Sequence, residues 1–295
     1  MFLFQKIEEM MMTHKDVRHA VGKFVLEQKD NLYKYTVNDI AEQTYTSKAT
    51  VVRFAKALGF DGWKDFIKAF ISEIKYQEAH QTDIDANYPF YETSSTQEII
   101  DGLKKVQIES IQDTADLLDV QQVKRAVDYL EESHRVIIFG LSPNNYLGEL
   151  FRRKMMGIDK IVEIARLGEM GLISRTMTEN DCAIMISYSG NSVNESPVLH
   201  LQTLLDNKVP VIAITSDGDN YLRRNVSCIL TMSSKERLYT KISNFATEES
   251  IQYILNILFS CFYARNYRKN NSFKLRTSHI LENQRKTSLN RVKEE

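Results

Sequence analysis

The sequence predicts an α/β domain, a parallel five-stranded sheet flanked by helices, preceded by a smaller all-α domain. Three observations carry this reading. The chain has 295 residues, at the upper end of what a single core sustains, about 250–300 residues. Before Arg135 its apolar residues recur at helical spacing. After Arg135, short β-rich apolar runs alternate with helical stretches, the pattern of a parallel sheet covered on both faces.

Composition sets the setting. Hydrophobic residues make up 43% and charged residues 26%, as in an ordinary globular chain. The three cysteines, Cys182, Cys228 and Cys261, lack metal-ligand spacing and are odd in number, which suits a reducing cytoplasm. The opening MFLFQKIEEMMM has a short apolar run broken by Glu8 and Glu9, so no signal peptide is expected. The late run Ile254 to Ala264 is too short to span a membrane. We expect a cytoplasmic protein with no membrane partner and no cofactor.

Charge is divided unevenly. Residues 1–77 carry 12 cations against 10 anions, a net of +2, and residues 78–134 carry 4 against 13, a net of −9. Residues 135–264 balance at zero, and residues 265–295 reach +6. The acidic middle should repel nucleic acid, whereas either end can approach it.

Taking the elements in order, residues 10–30 read as one helix, with Val17, Ala20, Val21, Phe24 and Val25 on its buried face. Thr36 then caps a short helix in which Asp39 gives a partial capping box and Val37, Ile40 and Ala41 form the apolar stripe. Thr44-Tyr45-Thr46 breaks the pattern. Ser47 caps a second helix with Val51, Phe54, Ala55 and Leu58 inward, and Gly59 ends it. Its outward face holds Lys48, Thr50, Arg53 and Lys56, short side chains near the N-terminus and cations along the flank. A helix entering the DNA major groove needs that arrangement, although spacing alone also fits an ordinary helical hairpin with a solvated basic face. A third stripe, Trp63, Phe66, Ile67, Phe70 and Ile74, closes the helical domain. Residues 80–94 lose periodicity around Pro89, the first proline, and read as a linker.

The run SKATVVRFAKALGFDGW, Ser47 to Trp63, resembles the S-x-A-T-V-x-R-F-x-x-x-L-G-F-x-G-[FW] signature of the RpiR/MurR family of bacterial transcription regulators. The resemblance extends over about residues 1–77. It implies a winged-type helix-turn-helix that reads operator DNA through Ser47, Lys48, Thr50, Arg53 and Lys56.

Ser95-Thr96-Gln97-Glu98 is a capping box that starts a helix through about Leu118, and another helix covers about 120–132. The strand candidates are residues 136–140, 160–165, 182–187, 209–216 and 228–232. Parallel sheets bind ligands at the carboxyl ends of their strands, and two such ends here are polar. The first is Gly140-Leu141-Ser142-Pro143-Asn144-Asn145, where Ser142 before Pro143 also has the form of a plain helix cap. The second, Ser187-Tyr188-Ser189-Gly190-Asn191-Ser192, leads into an expected helix from Val193, with Ser192 and Glu195 spaced as a capping box. Hydroxyls at a helix N-terminus form an anion cradle.

Together these loops resemble the SIS (sugar isomerase) domain that follows the DNA-binding module in the RpiR/MurR family, over about residues 120–262. ISYSGNS is similar to the S-x-S-G-x-[ST] phosphosugar loop, which implies phosphate contacts from Ser187, Ser189 and Ser192, with Gly190 and Asn191 completing the loop. The first loop departs from the pattern. Against the regulators' G-x-G-x-S, Asn144 stands at the serine; against the aminotransferase-type G-x-S, Ser142 is the ligand and is preferred here. An SIS isomerase needs a base, for which Glu248, Glu249 and His200 are candidates, yet each also reads as a surface or capping residue. The expected function is a DNA-binding transcription regulator that senses a phosphosugar effector, without catalysis; the alternative is a sugar-phosphate isomerase with an accessory helical domain. The regulator is expected to be a homodimer or higher even oligomer on a roughly palindromic operator. Expected boundaries are a DNA-binding domain at 1–78, linker 79–95, SIS domain with leading helices 96–265 and basic tail 266–295, the tail partly helical around Leu275, Ile280, Leu281 and Leu289.

Overall fold

The structure, a computed structural model, describes residues 3–13, 16–80, 84–233 and 235–282. The chain divides into two compact units between Glu109 and Ser110.

The first unit begins with α1 (Leu3–Thr13) and α2 (Val17–Glu27), where one helix over 10–30 was expected. The reason is Asp16, whose carboxylate accepts from Arg18 N at 2.8 Å and starts a new helix. Val17, at its first position, is therefore 50% exposed rather than core, while Val21 and Val25 are buried. After a 3-10 turn (Lys29–Lys34) come α3 (Val37–Gln43), α4 (Lys48–Ala57) and α5 (Trp63–His80). Thr36 completes its capping box with Asp39: Thr36 N donates to the carboxylate at 2.8 Å, and Asp39 N donates to Thr36 Oγ1 at 3.3 Å. Ser47 caps α4 by accepting from Thr50 N. Gly59, at φ +93°, ends it, with Phe60 N donating to Ala55 O and Gly59 N to Lys56 O, a Schellman closure. Ile40, Val51, Phe54, Phe66 and Phe70 form the fully buried core of this unit. Within residues 84–94, Asp85 accepts from Asn87 N at 2.9 Å to make a turn, and Pro89 lies against Gly102 of the next helix, α6 (Thr96–Leu117). The expected linker residues 81–83 lie outside the described residues.

The second unit, from Ser110, takes the rest of α6 and adds α7 (Val120–Glu132), β1 (Val136–Gly140), α8 (Asn144–Met156), β2 (Val162–Ala165), α9 (Met170–Thr176) and β3 (Cys182–Ser187). A 3-10 turn (Val198–His200), α10 (Leu201–Asp206), β4 (Val211–Ser216), α11 (Tyr221–Asn225), β5 (Cys228–Met232), α12 (Phe245–Arg265) and α13 (Tyr267–Glu282) follow. All five strands pair in parallel in the order β2-β1-β3-β4-β5. Two expected strands are shorter at their starts, losing residues 160–161 and 209–210. Lys160 is drawn off to the Ser133 carbonyl, and Pro210 has no N–H for the ladder. Alternation then builds a core on each face: Ile138, Ile184, Ile186 and Ile212 pack toward α7, α8 and α12, and Phe139, Met185 and Ala213 face the opposite core. In α13, Leu275, Ile280 and Leu281 are exposed; Leu289 and the rest of the expected tail lie outside the described residues.

Candidate functional site

On α4 the inward and outward faces separate as the spacing predicts. Val51, Phe54, Ala55 and Leu58 are buried, whereas Ser47, Lys48, Arg53 and Lys56 are exposed and Thr50 is half-exposed. The Ser47 and Thr50 hydroxyls bond each other at 3.0 Å, and Arg53 Nε bonds back to the Ala49 carbonyl at 3.3 Å. The N-terminal face of α4 is thus presented with its polar groups ordered. The sequence reading missed Tyr45, which stands 97% exposed in the turn between α3 and α4. Its backbone holds φ +53°, a conformation uncommon for a bulky residue. The only signal was the break in pattern at 44–46.

At the other candidate site, register decides the geometry. Gly140 of β1 pairs with Ile186 of β3, so the two polar loops leave the sheet side by side. Ser142 is exposed, Ser189 half-buried and Ser192 exposed, and none of their hydroxyls has a hydrogen-bond partner among the described residues. The Ser187 hydroxyl is used differently: it accepts from Gly190 N at 3.3 Å and closes the loop. Gly190 sits at φ +62°, and a Cβ there would meet Asn220 Oδ1 at 2.5 Å and Thr215 Oγ1 at 2.7 Å. The carbonyls of Tyr188 and Gly190 accept from Ser216 N and Leu222 N, each at 3.1 Å. Asn191, expected as a ligand contact, spends its Oδ1 accepting from Tyr221 N at 2.9 Å. Asn220, which the sequence reading missed, holds the far side by donating to Thr215 Oγ1 at 3.2 Å.

One expectation and one alternative are corrected here. No helix starts at Val193, and Ser192 with Glu195 forms a turn rather than a capping box, Glu195 N donating to Ser192 O at 3.0 Å. Regular structure resumes only at the 3-10 turn from Val198, because Pro197 interrupts the segment. Ser142 is not the cap of α8; Pro143 occupies that position and supplies no side-chain cap. The helix that begins in this region is α8, which no side chain caps, although Asn145 N and Tyr146 N donate to the Leu141 and Pro143 carbonyls at 3.2 and 3.0 Å. Asn144, the second choice for the first loop, lies at the start of α8, with its Cβ 3.3 Å from where a Cβ on Gly140 would stand.

A cavity of about 580 Å3 opens beside the first loop, lined by Ser142, Asn145, Tyr146, Arg152, Glu163 and Arg166 among others. Asn145 Oδ1 is buried without a hydrogen-bond partner among the described residues, an acceptor the sequence reading did not single out. Ser187–Ser192 do not line this cavity. None of the expected bases Glu248, Glu249 and His200 lines this cavity. His200 Nε2 and the Ser196 hydroxyl bond at 2.9 Å, and burial lowers the imidazole below its usual range. Burial, with Glu236 and Glu249 nearby, raises the Glu248 carboxyl at the start of α12. Among the described residues no group of His, Cys, Asp and Glu is placed to hold a metal, and no helix is long and apolar enough to cross a membrane.

Comparison with known proteins matches both halves of the chain. A family model described as the helix-turn-helix domain of the rpiR family matches residues 1–77, and the SIS domain model matches residues 129–248. The chain is 22% identical to an HTH-type transcriptional regulator of Providencia stuartii, over 88% of this chain and 80% of that one. It is 23% identical to another from Thermotoga maritima, over 91% and 94%. Among solved structures, Vibrio vulnificus NanR complexed with ManNAc-6P superposes with a TM-score of 0.59 at 19% identity, covering 96% of this chain and all (100%) of that one. The sugar isomerase domain of an RpiR transcription factor from Sphaerobacter thermophilus gives 0.54 at 15% identity, over 63% and 100%.

Proposed function

Since the chain belongs to the rpiR family of helix-turn-helix transcriptional regulators with a SIS domain, we propose that a phosphorylated sugar held at the ends of β1 and β3 controls its grip on operator DNA. The observation that carries this reading is the set of free hydroxyls, Ser142, Ser189 and Ser192, on loops that register places side by side near the uncapped start of α8. A phosphate accepts hydrogen bonds from hydroxyls and backbone N–H groups and is favoured at the positive end of a helix dipole. Ser187, Gly190 and Asn191 act through loop shape, and Asn144 acts at the helix start. NanR, bound to ManNAc-6P, makes an N-acetylated hexosamine phosphate the first ligand to try.

On the DNA side, Lys48, Thr50, Arg53 and Lys56 read and anchor the operator, with Ser47 capping their helix and Tyr45 standing beside it. The protein works in the cytoplasm as a homodimer or higher even oligomer, so that two copies of a mildly basic module bind together. Ligand binding without turnover serves this role, and no residue is assigned to catalysis.

Calorimetric titration against a panel of phosphosugars tests the effector site. Replacing Ser189 with Ala removes one charge-assisted hydrogen bond, about 1.5–3 kcal/mol, and should weaken the best ligand roughly ten- to a hundredfold. Equal affinities would reject the loop as the phosphate site. For DNA, Arg53→Ala should cost about 1–3 kcal/mol of operator binding at unchanged fold, measured by gel shift with circular dichroism as control. The alternative reading is sugar-phosphate isomerisation, for which Glu248 at the start of α12 is the candidate base. An assay of ketose–aldose interconversion by the purified chain decides it.

A further inference from the structure

The C-terminal part of α6 is seated on the second unit through buried polar groups. Ser110, Asp113 and Thr114 on α6 are each 2% exposed or less. The Ser110 hydroxyl bonds the Ser250 hydroxyl of α12 at 2.7 Å and donates to the Ala246 carbonyl. Thr114 Oγ1 accepts from Ser233 N at 3.3 Å, just after β5. Asp113 pairs with Lys235 at 2.8 Å, with side chains 3% and 17% exposed.

The next residue joins this seam to the effector loop. Glu236 is 4% exposed, and its carboxylate accepts from Ala246 N and Thr247 Oγ1, both at 2.6 Å. Its carbonyl accepts from the Tyr188 hydroxyl at 2.6 Å, and Lys241 stands over the Tyr188 ring at 5.6 Å while pairing with Glu236 at 3.4 Å. Tyr188 lies between Ser187 and Ser189 in the loop itself. Loop occupancy, the residues after β5 and the seat of α6 therefore share one chain of directional contacts. Hydroxyls that both donate and accept can re-pair in a few discrete arrangements, unlike an interlocked apolar core.

We propose that Tyr188, the consecutive residues Glu236 and Lys235, and Asp113 form a relay that reports the occupancy of the effector loop to α6. The relay rests on the phosphosugar reading of that loop. Because α6 continues N-terminally to Thr96, past the division at Glu109, a change in its seat is passed on through a continuous helix. A ligand moves such an equilibrium only through its differential affinity for the two arrangements, so cutting the relay should spare binding and abolish the response.

Hydrogen–deuterium exchange on the full chain tests this, with inorganic phosphate at tens of millimolar and ManNAc-6P as the probes. In wild type, probe should slow exchange severalfold both in peptides holding residues 187–192 and in those holding 110–117. In Tyr188→Phe, which deletes one hydroxyl, the loop should keep its protection while the response of 110–117 disappears. Asp113→Asn, which keeps shape and removes charge, should give the same split. The relay is overturned if 110–117 responds equally in both variants, if it is silent in wild type while the loop responds, or if Tyr188→Phe loses protection at the loop as well. Absence of loop protection in wild type with either probe would instead overturn the phosphosugar reading, and the relay with it.

Discussion

Gly190 and Tyr45 share a left-handed backbone for opposite reasons. At Gly190 the φ of +62° and the close approach of Asn220 and Thr215 leave no room for a side chain. Gly190→Ala should destabilise the second unit by about 1–3 kcal/mol through strain and remove phosphosugar binding, as read by denaturant unfolding and calorimetry. Tyr45 holds φ +53° with its ring almost wholly in water, so nothing in the unit's core needs the tyrosine. Tyr45→Gly relieves a conformation that costs a bulky residue on the order of 1 kcal/mol. Thermal stability should hold or rise while operator affinity falls. A loss of stability would show instead that the ring supports the fold.

Among the elements, α4 has its two faces most clearly divided. Phe54 is fully buried and packs edge-to-face on Phe66 with centroids 5.9 Å apart. Phe54→Ala should cost about 3–5 kcal/mol and unfold the first unit, in contrast to Arg53→Ala one position away. The entries of β1 and β3 are tied by Arg135 and Asp181, paired at 2.9 Å. Burial by itself would raise the Asp181 carboxyl, but hydrogen bonds from Arg135 and the Thr178 N–H hold it below the usual carboxylate range. A carboxyl lowered on folding stabilises above its unfolded value, near 4, and that contribution fades as pH falls through the folded value. Asp181→Asn should thus cost roughly 1 kcal/mol at neutral pH, and the gap should close progressively below about pH 4 in denaturant titrations.

For the whole molecule, the division at Glu109–Ser110 falls inside α6 rather than in the residues before it. A fragment of residues 96–282 retains Ser110, Asp113 and Thr114 and should fold on its own. A fragment starting at residue 118 loses all three, and leaves the Glu236 and Lys235 segment without its seat. It should unfold at least several degrees lower, since breaking a buried ion pair from one side is strongly destabilising. Equal melting temperatures would mean that α6 contributes nothing to the second unit.

Much of this was legible in the residues themselves, because periodicity and capping are local. Thr36 with Asp39, Ser47, Gly59 and Ser95 with Glu98 mark helix ends where the backbone meets them, and three of the five strands run over the residues their apolar runs predict. The family was legible too, since Ser47 to Trp63 is a contiguous motif. What only the tertiary structure decided lies between segments far apart in sequence. No helix formed at Val193 because Pro197 and the loop's anchors on Asn220 and Tyr221 hold that segment irregular. Asn191 became an anchor instead of a free contact because α11 comes back to meet it. Glu236 carried no local signal at all: its significance arises from Ala246, Thr247 and Tyr188, brought to it by the sheet, and hydrogen bonds between distant segments leave no period in the sequence.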